Sequence, residues 1–254
     1  MNLAPLGVSA WQTSSNATIG TVWACVHDGH NGGRAAGYLR ERLAAAVAEH
    51  LTPVAAAAAA NAAAAAAAAA DVAASSDGGS GGGNGGAGGG GGGGENKTRF
   101  ASSVACALVE AFEATDTALL AAQKASGDES GSTCVGCLAM LGRGSDGGGG
   151  GGLVAVANVG DSRAVLCCAA PAAAPAKKAA SPQEVSGHGL RYKGVALSED
   201  QKAERPDEKA RVLARGGVVF RGRLMGVLAV SRAFGDPELK VREVTRAVLW
   251  WSDW

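Results

Sequence analysis

The chain has 254 residues, of which 40 are glycine and 56 alanine. Larger apolar residues and cysteine make up only about a quarter of the length, enough for one modest folded unit and too little for two full domains. Lysine plus arginine and aspartate plus glutamate balance at 23 each, so no basic field draws the chain to nucleic acid or anionic lipid.

Residues 1–20 form an uncharged N-terminal segment, and no charged side chain appears before Asp28. A secretory leader needs a positive region ahead of its apolar stretch, so no signal peptide is expected. Residues 21–26 are β-branched and aromatic and predict a strand. A helix is expected over 34–50, where Leu39, Leu43 and Val47 recur four residues apart. Residues 52–96 hold an alanine tract and then a glycine run. Fifteen alanines and Asn61 fill positions 55–70, which is shorter than a bilayer span and only weakly apolar, so no transmembrane helix is expected there. Alanine favours transient helix and glycine favours coil, so the whole segment reads as a loop insertion. A second helical pattern runs over 100–123 through Val104, Leu108, Phe112 and Leu119.

Strands are expected over 133–141 and 153–157, with a hairpin partner at 163–167 across a turn at 159–162. Further low-complexity insertions cover 142–152 and 168–187, leaving about 178 residues to fold, and loop-closure entropy tolerates all three cheaply. Pro206, Asp207 and Glu208 suit the first turn of a helix over 204–215, which Gly216 and Gly217 end. Short strands at 218–220 and 224–230 follow. Clustered helices and hairpin strands favour antiparallel sheets flanked by helices.

Six cysteines lack the spacing of a disulfide framework, which favours a reducing, intracellular location, cytoplasmic or nuclear. Cys134 and Cys137 form one CxxC, readable as a zinc or redox pair or as buried strand cysteines. Asp28-Gly29-His30-Asn31-Gly32-Gly33 closes the first strand. Its carboxylate and carbonyl oxygens suit Mg²⁺ or Mn²⁺, with His30 placed to deliver a proton. The alternative is an Asp-Gly turn capping the next helix. A second acidic turn at Asn158-Val159-Gly160-Asp161-Ser162-Arg163 reads either as a hairpin turn bonding its own backbone or as a carboxylate beside a metal.

Together with Ser130-Gly131-Ser132-Thr133, Arg205-Pro206-Asp207-Glu208 and Gly226-Val227-Leu228-Ala229-Val230-Ser231-Arg232-Ala233-Phe234-Gly235-Asp236, these blocks resemble the type 2C (PPM) metal-dependent Ser/Thr protein phosphatases over roughly residues 21–240. The resemblance implies an α+β fold: a four-layer α-β-β-α sandwich of two antiparallel sheets flanked by helices, here incomplete at both ends. It also implies two Mg²⁺ or Mn²⁺ ions, with Asp28 bridging them and Gly29 lending its carbonyl. Asp161 would hold a further ion and His30 would protonate the leaving serine or threonine oxygen. Phosphoproteins would be the substrates of a monomer with no nucleic-acid or membrane partner. The sequence departs from the family in three ways. No arginine or Glu-Asp pair precedes Asp28. Gln201 stands where the family usually has histidine. Of the family's later aspartate motifs only Ser252-Asp253 gives an echo, which makes Asp253 a candidate metal ligand. A catalytically inactive or truncated binding module is the competing expectation.

Overall fold

Alternation along the first strand sets the architecture. The computed structural model describes residues 19–75, 92–143, 149–170, 191–240 and 248–253. Most of the N-terminal segment, much of the glycine run and residues 171–187 of the third insertion lie outside the described residues. Strand β1 (Ile19–His30) buries Trp23 and Cys25 on one face and presents Val22, Val26 and Asp28 on the other. It is followed by helix α1 (Arg34–Ser75) and helix α2 (Gly92–Ser126), which pack on each other and on the Trp23 face. Leu39, Leu43 and Val47 from α1 are fully buried, as are Val104 and Leu108 from α2. Each such side chain contributes about 1.5–3 kcal/mol through burial. Phe112 stands edge-on to Trp23 at 6.3 Å and tilts onto Phe234 at 5.3 Å, joining α2 to the sheet.

The main sheet continues with β2 (Gly131–Arg143) and β3 (Gly149–Val159). Next come β4 (Val165–Ala170), β5 (Arg191–Ala196), α3 (Pro206–Ala214), β6 (Val219–Phe220), β7 (Arg223–Leu224), β8 (Phe234–Gly235), α4 (Pro237–Lys240) and β9 (Val248–Asp253). The five-stranded sheet runs β1-β2-β3-β9 with β8 beside β2, and the pairs β4-β5 and β6-β7 stand apart from it. Every described strand pair is antiparallel, as the α+β reading requires.

Gly136 is the tight point of the core. A Cβ there would lie 2.2 Å from the Trp23 ring. Gly136→Ala is therefore expected to destabilise the chain by about 1–3 kcal/mol through overpacking, read as a lower urea midpoint with unchanged slope.

Four expectations need correction. The alanine tract is not a loop insertion: α1 runs through Pro53 and the alanines to Ser75. Extending an existing helix adds one hydrogen bond per residue without a second nucleation step, so alanine's propensity prevails. By length and composition its Arg34–Ala67 portion could also cross a membrane, although its leucine stripe packs into the core. Second, Gly149 to Gly152, assigned to an insertion, instead begin β3. Third, no hairpin joins 153–157 to 163–167. β3 pairs with β2 and β9, whereas β4 pairs with β5. Gly160, at φ +100°, turns the chain away, and Gln201 holds that turn by accepting from the Gly160 amide at 2.8 Å. Fourth, 224–230 is not a strand. Positive φ at Arg221, Gly222, Met225 and Gly226 folds the segment into tight turns, closed by the Leu224–Leu228 bridge.

Candidate active site

Asp28 and His30 lie two residues apart on β1, hence on one face of the sheet. His27, one residue before Asp28, shares the opposite face of β1 with Trp23 and Cys25. Its Nε2 lies 3.2 Å from the Cys25 thiol, and burial pushes its pKa down to about 4. That imidazole is therefore neutral near pH 7 and lies on the face away from Asp28 and His30. The strand continues through His30, which pairs with Gly131, so Asp28-Gly29 is not a turn and Asp28 does not cap α1. The Ser130 hydroxyl takes that role, accepting from the Ala35 amide at 3.0 Å. Gly29 is held close, with a Cβ there only 3.1 Å from the Gly32 carbonyl oxygen and 3.2 Å from Ala36.

The register carries the site across the sheet. Asp28 pairs with Thr133, and Cys134 pairs with Val159, so Thr133 comes level with Gly160 and the turn that holds Asp161. Thr133 Oγ1 lies 2.6 Å from Ser162 Oγ, tying the turn to β2. Gln201 completes the tie. Its amide donates to the Asn158 carbonyl at 3.1 Å, and its backbone amide donates to the Gly160 carbonyl at 2.9 Å. The side chain that departs from the family pattern thus acts as a clasp for the Asp161 turn.

Asp161 is partly exposed, and its nearest cation is Lys202 at 3.8 Å. Lys202 also lies 3.6 Å from Asp200, which Arg163 grips through two hydrogen bonds of 2.6 and 2.7 Å. Those bonds hold the Asp200 carboxyl below its ordinary pKa. Asp253 does not join this end. It pairs with Leu153, whereas Val248 pairs with Asn158, so Asp253 stands at the opposite end of β3 from the Asp161 turn.

Asp28, the Gly29 carbonyl and Asp161 are oxygen donors of the kind a hard divalent cation takes. They fit in chemistry but not in number, since no group of three histidine, cysteine, aspartate or glutamate side chains comes together among the described residues. The same holds for the cysteine pair. Three positions apart on β2, Cys134 and Cys137 face opposite sides of the sheet, and burial raises both thiols above their ordinary pKa. They are strand cysteines rather than a zinc or redox pair.

One partner escaped the sequence reading. His30 Nε2 lies 2.8 Å from Asp236 Oδ2, across 206 residues of sequence. Asp236 closes the Gly226 to Asp236 block, and no local periodicity links it to His30.

A family model described as Protein phosphatase 2C matches residues 95–248, more than half of the chain. The chain belongs to the protein phosphatase 2C family. It is similar to "Probable protein phosphatase 2C 8" of Arabidopsis thaliana, at 35% identity over 138 residues, covering 53% of this chain and 34% of that protein. It is also similar to "Probable protein phosphatase 2C 59" of Oryza sativa subsp. japonica, at 34% identity over 142 residues, covering 55% and 34%. This member of the family therefore spans about a third of the length of the curated relatives it matches. Its fold is similar to that of a serine-threonine phosphatase 2C from Toxoplasma gondii, with TM-score 0.54 at 15% identity over 96% of this chain and 72% of the other. A C. elegans sex determining protein gives TM-score 0.52 at 18% identity over 92% and 40%.

Proposed function

We propose that this protein phosphatase 2C chain takes part in hydrolysing phosphoserine and phosphothreonine in protein substrates. The observation that carries the reading is the convergence of Asp28-Gly29-His30, Thr133 and the Gly160-Asp161-Ser162 turn at one end of the five-stranded sheet. Asp28 and the Gly29 carbonyl are the groups that would hold Mg²⁺ or Mn²⁺, with Asp161 beside them. Such an ion supplies neutralisation of the phosphoryl oxygens and an acidified water. The chain's own part is to orient the phosphate ester at the sheet end and to give the departing alcohol a proton from His30, two residues from Asp28 on the same face.

A second reading, a phosphoprotein-binding module without hydrolysis, is favoured by the small number of donors among the described residues and by Lys202, which already offers Asp161 a cation. One comparison separates the two. The purified chain is assayed on a phosphothreonine peptide in millimolar Mn²⁺ beside Asp28→Asn. Release of phosphate by the parent chain, reduced at least about 100-fold in the variant, is the expected result. Equal background in both would sink the enzyme reading and leave the binding module.

A further inference from the structure

We infer that Asp236 is a positioning residue for His30, holding the ring so that Nδ1 is the nitrogen that hands its proton to the leaving oxygen. The inference rests on the phosphatase reading for its catalytic consequence, but the pairing is a feature of the fold.

Asp236 is 93% buried, and its Oδ2 sits 2.8 Å from His30 Nε2. A carboxylate oxygen accepts, so Nε2 carries the hydrogen of this bond. Among the described residues no protein group bonds Nδ1, and the His30 side chain keeps 28% exposure. Nδ1 is therefore the ring nitrogen left for a substrate by the described protein groups.

The backbone is built to deliver this carboxylate. Asp236 adopts φ +53°, and Gly235 before it φ +71°. Aspartate tolerates this left-handed region better than most residues, but the region still costs of order 1 kcal/mol and persists only where neighbours enforce it. Three links enforce it here. The Asp236 amide donates to the Ser130 carbonyl at 3.2 Å, and β8 pairs with β2 through Gly131 and Gly235. On α2, Asp116 accepts from the Gly235 amide at 2.9 Å and from Lys240 Nζ at 2.5 Å. Lys240 in turn donates to the Ala233 carbonyl at 2.8 Å. Two helices thus clamp a strained turn that sets a buried carboxylate against the His30 ring.

The proton step balances without a further reactant. The ester P–O bond breaks with its electron pair on the serine or threonine oxygen, water supplies the new oxygen on phosphorus, and the Nδ1 proton neutralises the alkoxide. The ring is left neutral with its remaining hydrogen on Nε2, in the tautomer that Asp236 accepts.

Asp236→Asn preserves shape and tolerance of positive φ while removing the obligate acceptor. Leaving-group dependence separates positioning from general damage, because an alkoxide needs the proton far more than p-nitrophenolate does. With the 254-residue chain, kcat on a phosphothreonine peptide is expected to fall about tenfold or more with KM nearly unchanged, while kcat on p-nitrophenyl phosphate falls less than about threefold. Equal losses on both substrates, or none, would overturn the proposal. Long-range ¹H–¹⁵N spectra of the histidine rings in metal-free protein give an independent readout. His30 should show the Nε2–H tautomer in the parent chain and a tautomer mixture in Asp236→Asn, and identical spectra would also overturn it. If the parent chain proves inactive on both substrates, the phosphatase reading fails, while the spectra still decide whether Asp236 sets the ring.

Discussion

Replacing Glu208 with alanine is expected to destabilise the fold by about 3–5 kcal/mol. Glu208 is 98% buried at the start of α3. Arg232 grips it through bonds of 2.6 and 2.9 Å, Arg211 donates at 2.7 Å and Ser231 Oγ at 2.5 Å. Arg232 is itself buried, so deleting the carboxylate removes the counter-charge that Glu208 supplies to a guanidinium only 8% exposed. The cost comes from weakening the compensation of that buried charge and not from the worth of the pair. Replacing both partners at once, as Glu208→Leu with Arg232→Met, should therefore cost less than Glu208→Ala alone. Urea midpoints of Glu208→Ala and of the double variant check this, and a larger loss in the double variant would refute it.

The same network predicts how stability follows pH. Burial alone would raise the Glu208 pKa, but hydrogen bonds from Arg232, Arg211 and Ser231 outweigh it and hold the carboxyl down at about 2, from an ordinary 4.5. A pKa depressed in the folded state means the unfolded chain takes up the proton first. The contribution is present in full above about pH 4.5 and is lost as pH falls toward 2, a change of about 3 kcal/mol. Stability measured at pH 6 and pH 3 should fall more steeply in the parent chain than in Glu208→Ala.

What the sequence made legible follows the range of the interactions. Leu39, Leu43 and Val47, like Val104, Leu108 and Phe112, are periodic within one helix, so their common burial is readable from spacing alone. The end of α3 was equally plain: Gly216 takes φ +75° and the Gly217 amide returns to the Val212 carbonyl at 3.0 Å. Pairing was not legible in this way. The run at 163–167 follows a turn that suits a hairpin, and nothing local tells it that Gly160 will send it to Arg191–Ala196 instead. Asp28 and His30 stood out because one strand end holds both. Asp236 did not, since its meaning depends on a histidine 206 positions earlier and on a turn clamped by Asp116 and Lys240. Ordered motifs recovered the family where periodicity could not, because several short blocks in sequence order carry the long-range information that any one lacks.

A large effect on activity is also expected from the residue with least chemistry of its own. Gly131 pairs with His30 on one side and with Gly235 on the other. A Cβ at this position would fall 2.2 Å from His30 Nε2 and 2.3 Å from Asp236 Oδ2, inside the bond between them. The methyl group of Gly131→Ala cannot coexist with that contact. The backbones beneath them stay in place, since His30 lies on a paired strand and Asp236 on a turn held from three directions, so the side-chain ends yield. The imidazole and the carboxylate must part by an ångström or more, and a displacement of that size costs about 100-fold in turnover when it falls on a reacting group. Stability should suffer much less, because side-chain ends move and the apolar core stays intact. Gly131→Ala is therefore expected to keep a urea midpoint close to that of the parent chain while losing about 100-fold in kcat on a phosphothreonine peptide. In Gly131→Ala combined with Asp236→Asn, the second change should add little, since the bond it removes is already broken. Full multiplication of the two losses would mean that Gly131 and Asp236 act on His30 separately, and the bare glycine beneath the pair would need another explanation.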